Sequence, residues 1–420
     1  MSPAAAGARP IQAVVLSGGG ASGAYEVGVL KALATRAESP IDPEVFAGTS
    51  IGSYNAAFLA SQWDSLGAVA SQNLEAVWRQ RLANRPGPFG ANGLYRVRGN
   101  PLDFLNPAGY LPNPLRPFLR LAADGGFFFF EALRRLSGLP LIQGPRLQAA
   151  ANLLDFSAAL ALDPWVETIA ALDFAAIRNS RRRLLVAATN YESGRLRVFA
   201  NRDMTAALGP LAIKASSAIP GLLPAVAIGS QRHVDGGVVM NTPLTLAVNA
   251  GASEVHLVYL DPRIDAIPTA TLDSTLDALY RNQVIGWSKL VNMDISAANR
   301  INATLRALQR LRGDPKARGI DHDGLTRELH ADRLMPITIH RYHPHDDLAG
   351  GALGLLNFHP DHIGSLIDRG FEDGSQHDCN ESQCVLLGED EASQSVPLRR
   401  TRWGSEGVLA GAAAPGTHGS

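Results

Sequence analysis

Ser50 sits in Gly48-Thr49-Ser50-Ile51-Gly52, a G-x-S-x-G pentapeptide between a short apolar run and a stretch of small helix-forming residues. A serine at a tight strand-to-helix turn has its hydroxyl pushed out of the sheet, where it can attack an ester carbonyl. Gly48 and Gly52 leave room for the strained backbone and for close packing of the following helix. That helix would direct the positive end of its dipole at the place where negative charge develops.

A serine nucleophile needs donors for the oxyanion and a base for its proton. Residues 17–23 read Ser-Gly-Gly-Gly-Ala-Ser-Gly after an apolar run. Gly18, Gly19 and Gly20 can offer backbone N–H groups to a negative oxygen, and the helix opening near Gly23 adds its positive end. Gly18, Gly20 and Gly23 also satisfy G-x-G-x-x-G, so a nucleotide-binding oxidoreductase is a rival reading. That fingerprint needs an acidic residue at the end of the second strand, whereas Glu38 and Asp42 precede it.

For the base, Asp235 stands in Val234-Asp235-Gly236-Gly237, where two glycines let backbone and substrate approach the carboxylate. An aspartate of ordinary pKa, about 3.9, is a weak base, and burial would strengthen it. Taken alone, the segment also reads as an ordinary Asp-Gly turn. The chain has eleven histidines, so composition does not exclude a Ser-His-Asp triad. His256, inside an apolar run, reads as a core residue. His340, His343, His345, His359 and His362 lie near Asp346, Asp347 and Asp361 in sequence, but their spacing matches no metal-ligand pattern. The two cysteines, Cys379 and Cys384, are too few for a disulfide framework or a thiolate zinc site and read as incidental reduced thiols. Neither a metal nor a cofactor is expected.

These residues need elements to hold them. The apolar runs 11–16 and 44–49 read as buried strands, each followed by a helical pattern, over 21–37 and 51–61. Strand, helix, strand, helix in this order predicts an α/β fold with a mostly parallel sheet. Further strands are expected at 184–190, 195–200, 255–261 and 336–342. Helices are expected at 204–217, 360–371 and, as one long or two broken segments, from Leu272 to Leu311. Residues 84–150, rich in Pro and Gly, break the rhythm and read as an inserted cap. A disordered tail is expected over 376–420.

SGGGASGAY (17–25), GTSIG (48–52) and DGG (235–237), in this order, resemble the patatin-like phospholipase family. KASSAIPGLLPAV (214–226), the segment 172–199 and the segment 358–374 are similar to it as well, so the resemblance covers residues 11–375. It implies a three-layer α/β/α domain and a dyad of Ser50 as nucleophile and Asp235 as base. It also implies an oxyanion loop at Gly18, Gly19 and Gly20, and acyl esters of phospholipids and other lipids as substrates, with no metal in the chemistry. The sequence departs from the family at Ser22, where the loop often carries a basic residue. A catalytically silent binding protein on the same fold is the third reading.

The composition suits a large core: 420 residues, 46% hydrophobic and 18% charged. A net charge of −1 argues against nucleic acid as partner. The first residues lack a basic start with a long apolar run, and no stretch has the length of a membrane span, so a cytoplasmic protein is expected. Residues 79–148 hold ten arginines against Asp103, Asp124 and Glu131, interleaved with Phe104, Tyr110, Phe118 and Phe127 to Phe130. Such a segment suits either peripheral contact with an anionic membrane or a buried cap with a solvated arginine face.

Overall fold

The computed structural model describes residues 9–83, 92–98, 116–138, 160–260, 275–312, 335–349 and 351–387, with Asp321 and Gly324. β1 (Gln12–Leu16) leads through the glycine loop into α1 (Gly23–Ala34). β2 (Val45–Thr49) leads into α2 (Ile51–Leu66), and α3 (Val69–Val77) follows. A two-stranded ribbon pairs β3 (Arg96–Val97) with β4 (Leu160–Ala161); α4 (Arg116–Gly138) lies between them in sequence. Then come α5 (Asp163–Ile169), α6 (Phe174–Asn179), β5 (Arg183–Asn190), β6 (Leu196–Ala200) and α7 (Gly209–Ser216). The hairpin β7 (Val226–Ile228) and β8 (Gln231–Asp235) precedes α8 (Leu244–Asn249) and β9 (Glu254–Val258). Last are α9 (Thr275–Arg312), β10 (Thr338–Tyr342) and α10 (Pro360–Ser375).

The main sheet runs β10-β9-β1-β2-β5-β8-β7, with β6 pairing β5. The strands from β10 to β5 are parallel; β6, β7 and β8 are antiparallel additions. β1 and β2 are buried along their whole length or nearly so, as expected of parallel strands covered on both faces. Period-2 alternation sorts their side chains into two cores. Val14, Leu16 and Phe46 join α1, α2, α3 and α10 on one face. Ala13, Val15, Val45 and Ala47 meet α8 and α9 on the other. This mixed α/β arrangement, a mostly parallel sheet flanked by helices, is the expected fold class.

Two regions hold structure that the sequence reading did not specify. The 84–150 segment carries a 23-residue helix, α4. Its rich Pro and Gly content lies largely outside the helix, and the flanks 84–91, 99–115 and 139–159 fall outside the described residues. In the first part of the expected tail, Gln383 to Val385 lie against the edge strand β10. Val385 exchanges both backbone hydrogen bonds with Ile339 of β10, at 2.8 and 2.9 Å. Unpaired edge-strand groups favour such cover. The rest of the expected tail, 388–420, lies outside the described residues.

Candidate active site

Sheet register brings the candidate pair together. Thr49, the last residue of β2, is level with Ala187 of β5, so Ser50 follows at the level of Ala188. β6 occupies the opposite edge of β5, so Asp235 at the end of β8 pairs with Ala188 on the same edge as β2, just beyond its end. Ser50 and Asp235 therefore meet on one edge of β5 at one level, where β2 and β8 end against each other. The chain after Asp235 runs up against the end of β2: a Cβ at Gly236 would strike the Ala187 carbonyl and press on the Thr49 methyl. Thr49 Oγ1 in turn donates to Met240 O at 2.9 Å, tying the end of β2 to the chain after Asp235.

Ser50 has φ 55° and ψ −128°. A non-glycine residue held there stores about 1–3 kcal/mol of strain, common at nucleophile turns. The surroundings hold it in place. Its amide donates to Ser216 Oγ at 2.9 Å, and that hydroxyl donates to Ala187 O at 2.6 Å. Its carbonyl accepts from Ser53 N and Ser53 Oγ at 3.0 and 2.6 Å. A Cβ at Gly48, next to last in β2, would strike Gly52 O in the first turn of α2, and a Cβ at Gly52 would lie 2.5 Å from Ser17 O, so these glycines let α2 start directly against β1 and β2.

Asp235 is buried. Its Oδ1 accepts the Gly237 amide at 2.7 Å, and its Oδ2 has no hydrogen-bond partner. Burial pushes its carboxyl up to about 7; the nearby Ser50 hydroxyl and the Gly237 amide pull the other way. The Ser50 hydroxyl thus lies near enough to favour the charged carboxylate without forming a fully aligned hydrogen bond. Among the described residues, no histidine hydrogen-bonds Ser50. His256 is a core residue, its ring against Tyr342.

The glycine loop crosses the end of β1 beside this pair. A Cβ on Gly18 would collide with the Ser50 Cβ and Asn241 Oδ1, so the loop touches Ser50 directly. Gly18 N donates to Asn241 O and Asn241 Nδ2 donates to Gly18 O, both at 3.2 Å. The Gly18 amide is therefore engaged. Gly19 and Gly20 carry no such bond among the described residues, Gly20 holds φ +57°, and Gly23 opens α1. Ser22 is buried, its amide bonded to Gly19 O at 3.1 Å. Trp287 of α9 donates its indole N–H to Gly237 O, closing the site from the other layer.

Ser216, Asn241 and Trp287 had no role in the sequence reading. Ser216 stands in the family-like segment 214–226, yet nothing in its spacing distinguishes it from Ser217. The dinucleotide reading finds no support in the geometry: β2 ends in Thr49 with no acid after it, and Asp42 bonds Trp63 and Arg182. The histidine–aspartate group of 340–362 is not gathered into one ligand set. Among the described residues His340 instead joins His377, Cys379 and Cys384.

A family model described as patatin-like phospholipase matches residues 14–248, which contain the glycine loop, Ser50 and Asp235. The chain belongs to the patatin-like phospholipase family and is a lipid hydrolase. Among solved structures it is similar to VipD from Legionella pneumophila, at 16% identity and a TM-score of 0.37, over 88% of this chain and 67% of that chain. No curated protein matches it.

Proposed function

We propose that the chain cleaves carboxylic esters of phospholipids or related lipids through a Ser50–Asp235 dyad and an acyl-enzyme intermediate. The observation that carries this reading is the buried Asp235 carboxylate, with one oxygen unpartnered, beside a hydroxyl on a strained turn. Asp235 takes the Ser50 proton as Oγ attacks the acyl carbonyl. The tetrahedral oxyanion is met by the 18–20 loop, with the Gly19 and Gly20 amides as its donors. Collapse expels the alcohol or lysolipid, which recovers the proton from Asp235, and leaves acyl-Ser50. Water, deprotonated by Asp235, attacks the ester. Collapse then breaks the bond to Oγ, returns a proton to Ser50 and releases the fatty acid.

A substrate at a membrane requires the protein to reach that surface. No described helix is long and apolar enough to cross a bilayer. α4 offers a different contact. Phe118, Leu119, Phe129 and Phe130 are 63%, 66%, 65% and 69% exposed and share one side of the helix with Leu133. Asp124 faces the protein and pairs with Arg96, and Phe127 lies under the Arg98 guanidinium at 4.0 Å. An outward apolar face beside arginines suits insertion into the headgroup layer of a membrane. The outward side chains of α4 support the surface-contact reading of this segment.

A fluorophosphonate probe tests the nucleophile without knowledge of the lipid: it should label Ser50 in the native chain and fail on Ser50→Ala. Native protein left unlabelled would point to a silent member of the family. Sedimentation with anionic and neutral vesicles tests α4. Phe129→Ser/Phe130→Ser should lose vesicle binding while retaining probe labelling; unchanged sedimentation would remove α4 as the contact.

A further inference from the structure

We propose that His340, His377, Cys379 and Cys384 bind one structural zinc ion, which fastens residues 376–385 to the edge strand β10. One donor atom from each of these four residues lies within 4.8 Å of all the others. The two sulfurs and two imidazole nitrogens are the donors zinc prefers, and their number fills its tetrahedral shell. Zn–S bonds of about 2.3 Å and Zn–N bonds of about 2.0–2.1 Å, at tetrahedral angles, separate S from N by roughly 3.5 Å. Here Cys379 Sγ lies 3.4 Å from His340 Nδ1 and 3.6 Å from His377 Nε2, and Cys384 Sγ lies 3.4 Å from His377 Nε2. The four atoms already have the size of a mononuclear tetrahedral site.

The surrounding groups orient these donors. His340 turns Nδ1 toward the sulfurs, and its Nε2 faces Glu254 Oε1 at 3.9 Å. His377 turns Nε2 inward, and its Nδ1 meets Ser382 Oγ at 3.3 Å. Holding the outer ring nitrogen with an oxygen is how zinc-binding histidines are fixed. The Arg341 amide points at Cys384 Sγ at 3.2 Å, a donor suited to a thiolate. Both cysteines are free thiols, Cys384 buried and Cys379 half-buried.

Binding exchanges two thiol protons for the ion: Zn²⁺ and two Cys-SH give a neutral Zn(Cys)₂(His)₂ centre and two H⁺. Four protein donors leave no open position for a substrate, so the role is structural. The ion joins the strand residue His340 to the segment H-x-C-x₄-C (377–384), directly after α10. α10 packs closely on α1: a Cβ on Gly28 would strike Ile367 O, and Tyr25 donates to Asp373 at 2.8 Å. The clamp therefore fixes the end of the helix that lies against α1.

The test is metal analysis of the full chain purified under reducing conditions. One zinc per chain is expected, and Cys379→Ser/Cys384→Ser should lose it. Should that variant fold poorly, native protein stripped of metal and titrated with Co²⁺ gives an independent reading. One equivalent should produce thiolate-to-cobalt charge transfer and the intense visible bands of a tetrahedral site, both abolished by excess Zn²⁺. Metal-free protein whose melting temperature and spectrum ignore Zn²⁺ and Co²⁺ would overturn the proposal. So would a Cys379–Cys384 disulfide in protein that had never been exposed to oxidant.

Discussion

Asp235 and Glu26 are both buried carboxyls on the same domain, and burial raises both above the ordinary carboxylate range. Each keeps one oxygen without a hydrogen bond. Their surroundings then diverge. Glu26 of α1 accepts Asn55 Nδ2 at 2.9 Å, and Asn55 is itself held by the Trp78 indole at 2.8 Å and by Gly23 O at 3.2 Å. That carboxyl is walled in by α1, α2 and Trp78, pushed well above its ordinary value, and bonds only groups that stay put. Asp235 is raised to about 7 and faces a hydroxyl on a strained turn. Burial alone makes a proton-holding acid; burial beside a mobile proton makes a base that works near neutral pH.

Variants can break or sharpen this contrast. The largest effect is expected from Ser50→Ala. Turnover of a chromogenic fatty ester should fall on the order of 10⁴-fold or more, with an unchanged circular dichroism spectrum. Asp235→Asn should cost on the order of 10²- to 10⁴-fold in the same assay. It should also stabilise the fold, and the sign follows from linkage. The folded state holds the Asp235 proton up to about pH 7, whereas the unfolded chain releases it near 3.8, so stability falls as pH rises between these values. The ionised carboxylate then costs on the order of 4 kcal/mol at most above pH 7, which the amide removes. Thermal melts at pH 8 should show the variant above the native protein; a lower melting point would contradict the burial account.

Ser216→Ala comes next. Its hydroxyl bridges the Ser50 amide and the Ala187 carbonyl, so its loss should loosen the nucleophile turn and slow turnover by about 10-fold, without moving the pH midpoint. The smallest catalytic effect belongs to Glu26→Gln. The amide oxygen can still accept from Asn55, so turnover should stay within about 3-fold of native. Melting at pH 8 should rise, since Glu26 is also raised and also loses its contribution as pH increases. A large loss of turnover in Glu26→Gln would erase the distinction between the two carboxyls.

Much of this frame was legible in the sequence because strong local patterns coincide with it. IQAVVL and EVFAGT are apolar runs ending at glycine or serine, and they became β1 and β2 within a residue or so. The long helix from Leu272 and the helix from 360 were similarly plain, their apolar spacing intact. The β7–β8 hairpin was not, because its strands are short and Gln231 and Arg232 are exposed, which removes the alternation a strand would show. α4 was hidden by its flanking prolines and by four consecutive phenylalanines that read as a cap core. At the site, Ser50 and Asp235 stood in glycine-marked motifs. Ser216 and Asn241 act through hydrogen bonds to backbone groups and leave no pattern in the chain. The four residues around His377 were missed because one comes from a strand 37 positions earlier in the numbering, and only the β10 edge brings it to the other three.

The rate of fluorophosphonate labelling of Ser50, followed against pH in the native chain and in Asp235→Asn, tests the dyad most directly, since it needs no knowledge of the lipid. In the native protein the rate should climb through a single ionisation near pH 7 and level off above it. In Asp235→Asn it should be slow and without that step. An Asp235→Asn protein labelled at the native rate, with the same pH midpoint, would show that another group takes the Ser50 proton.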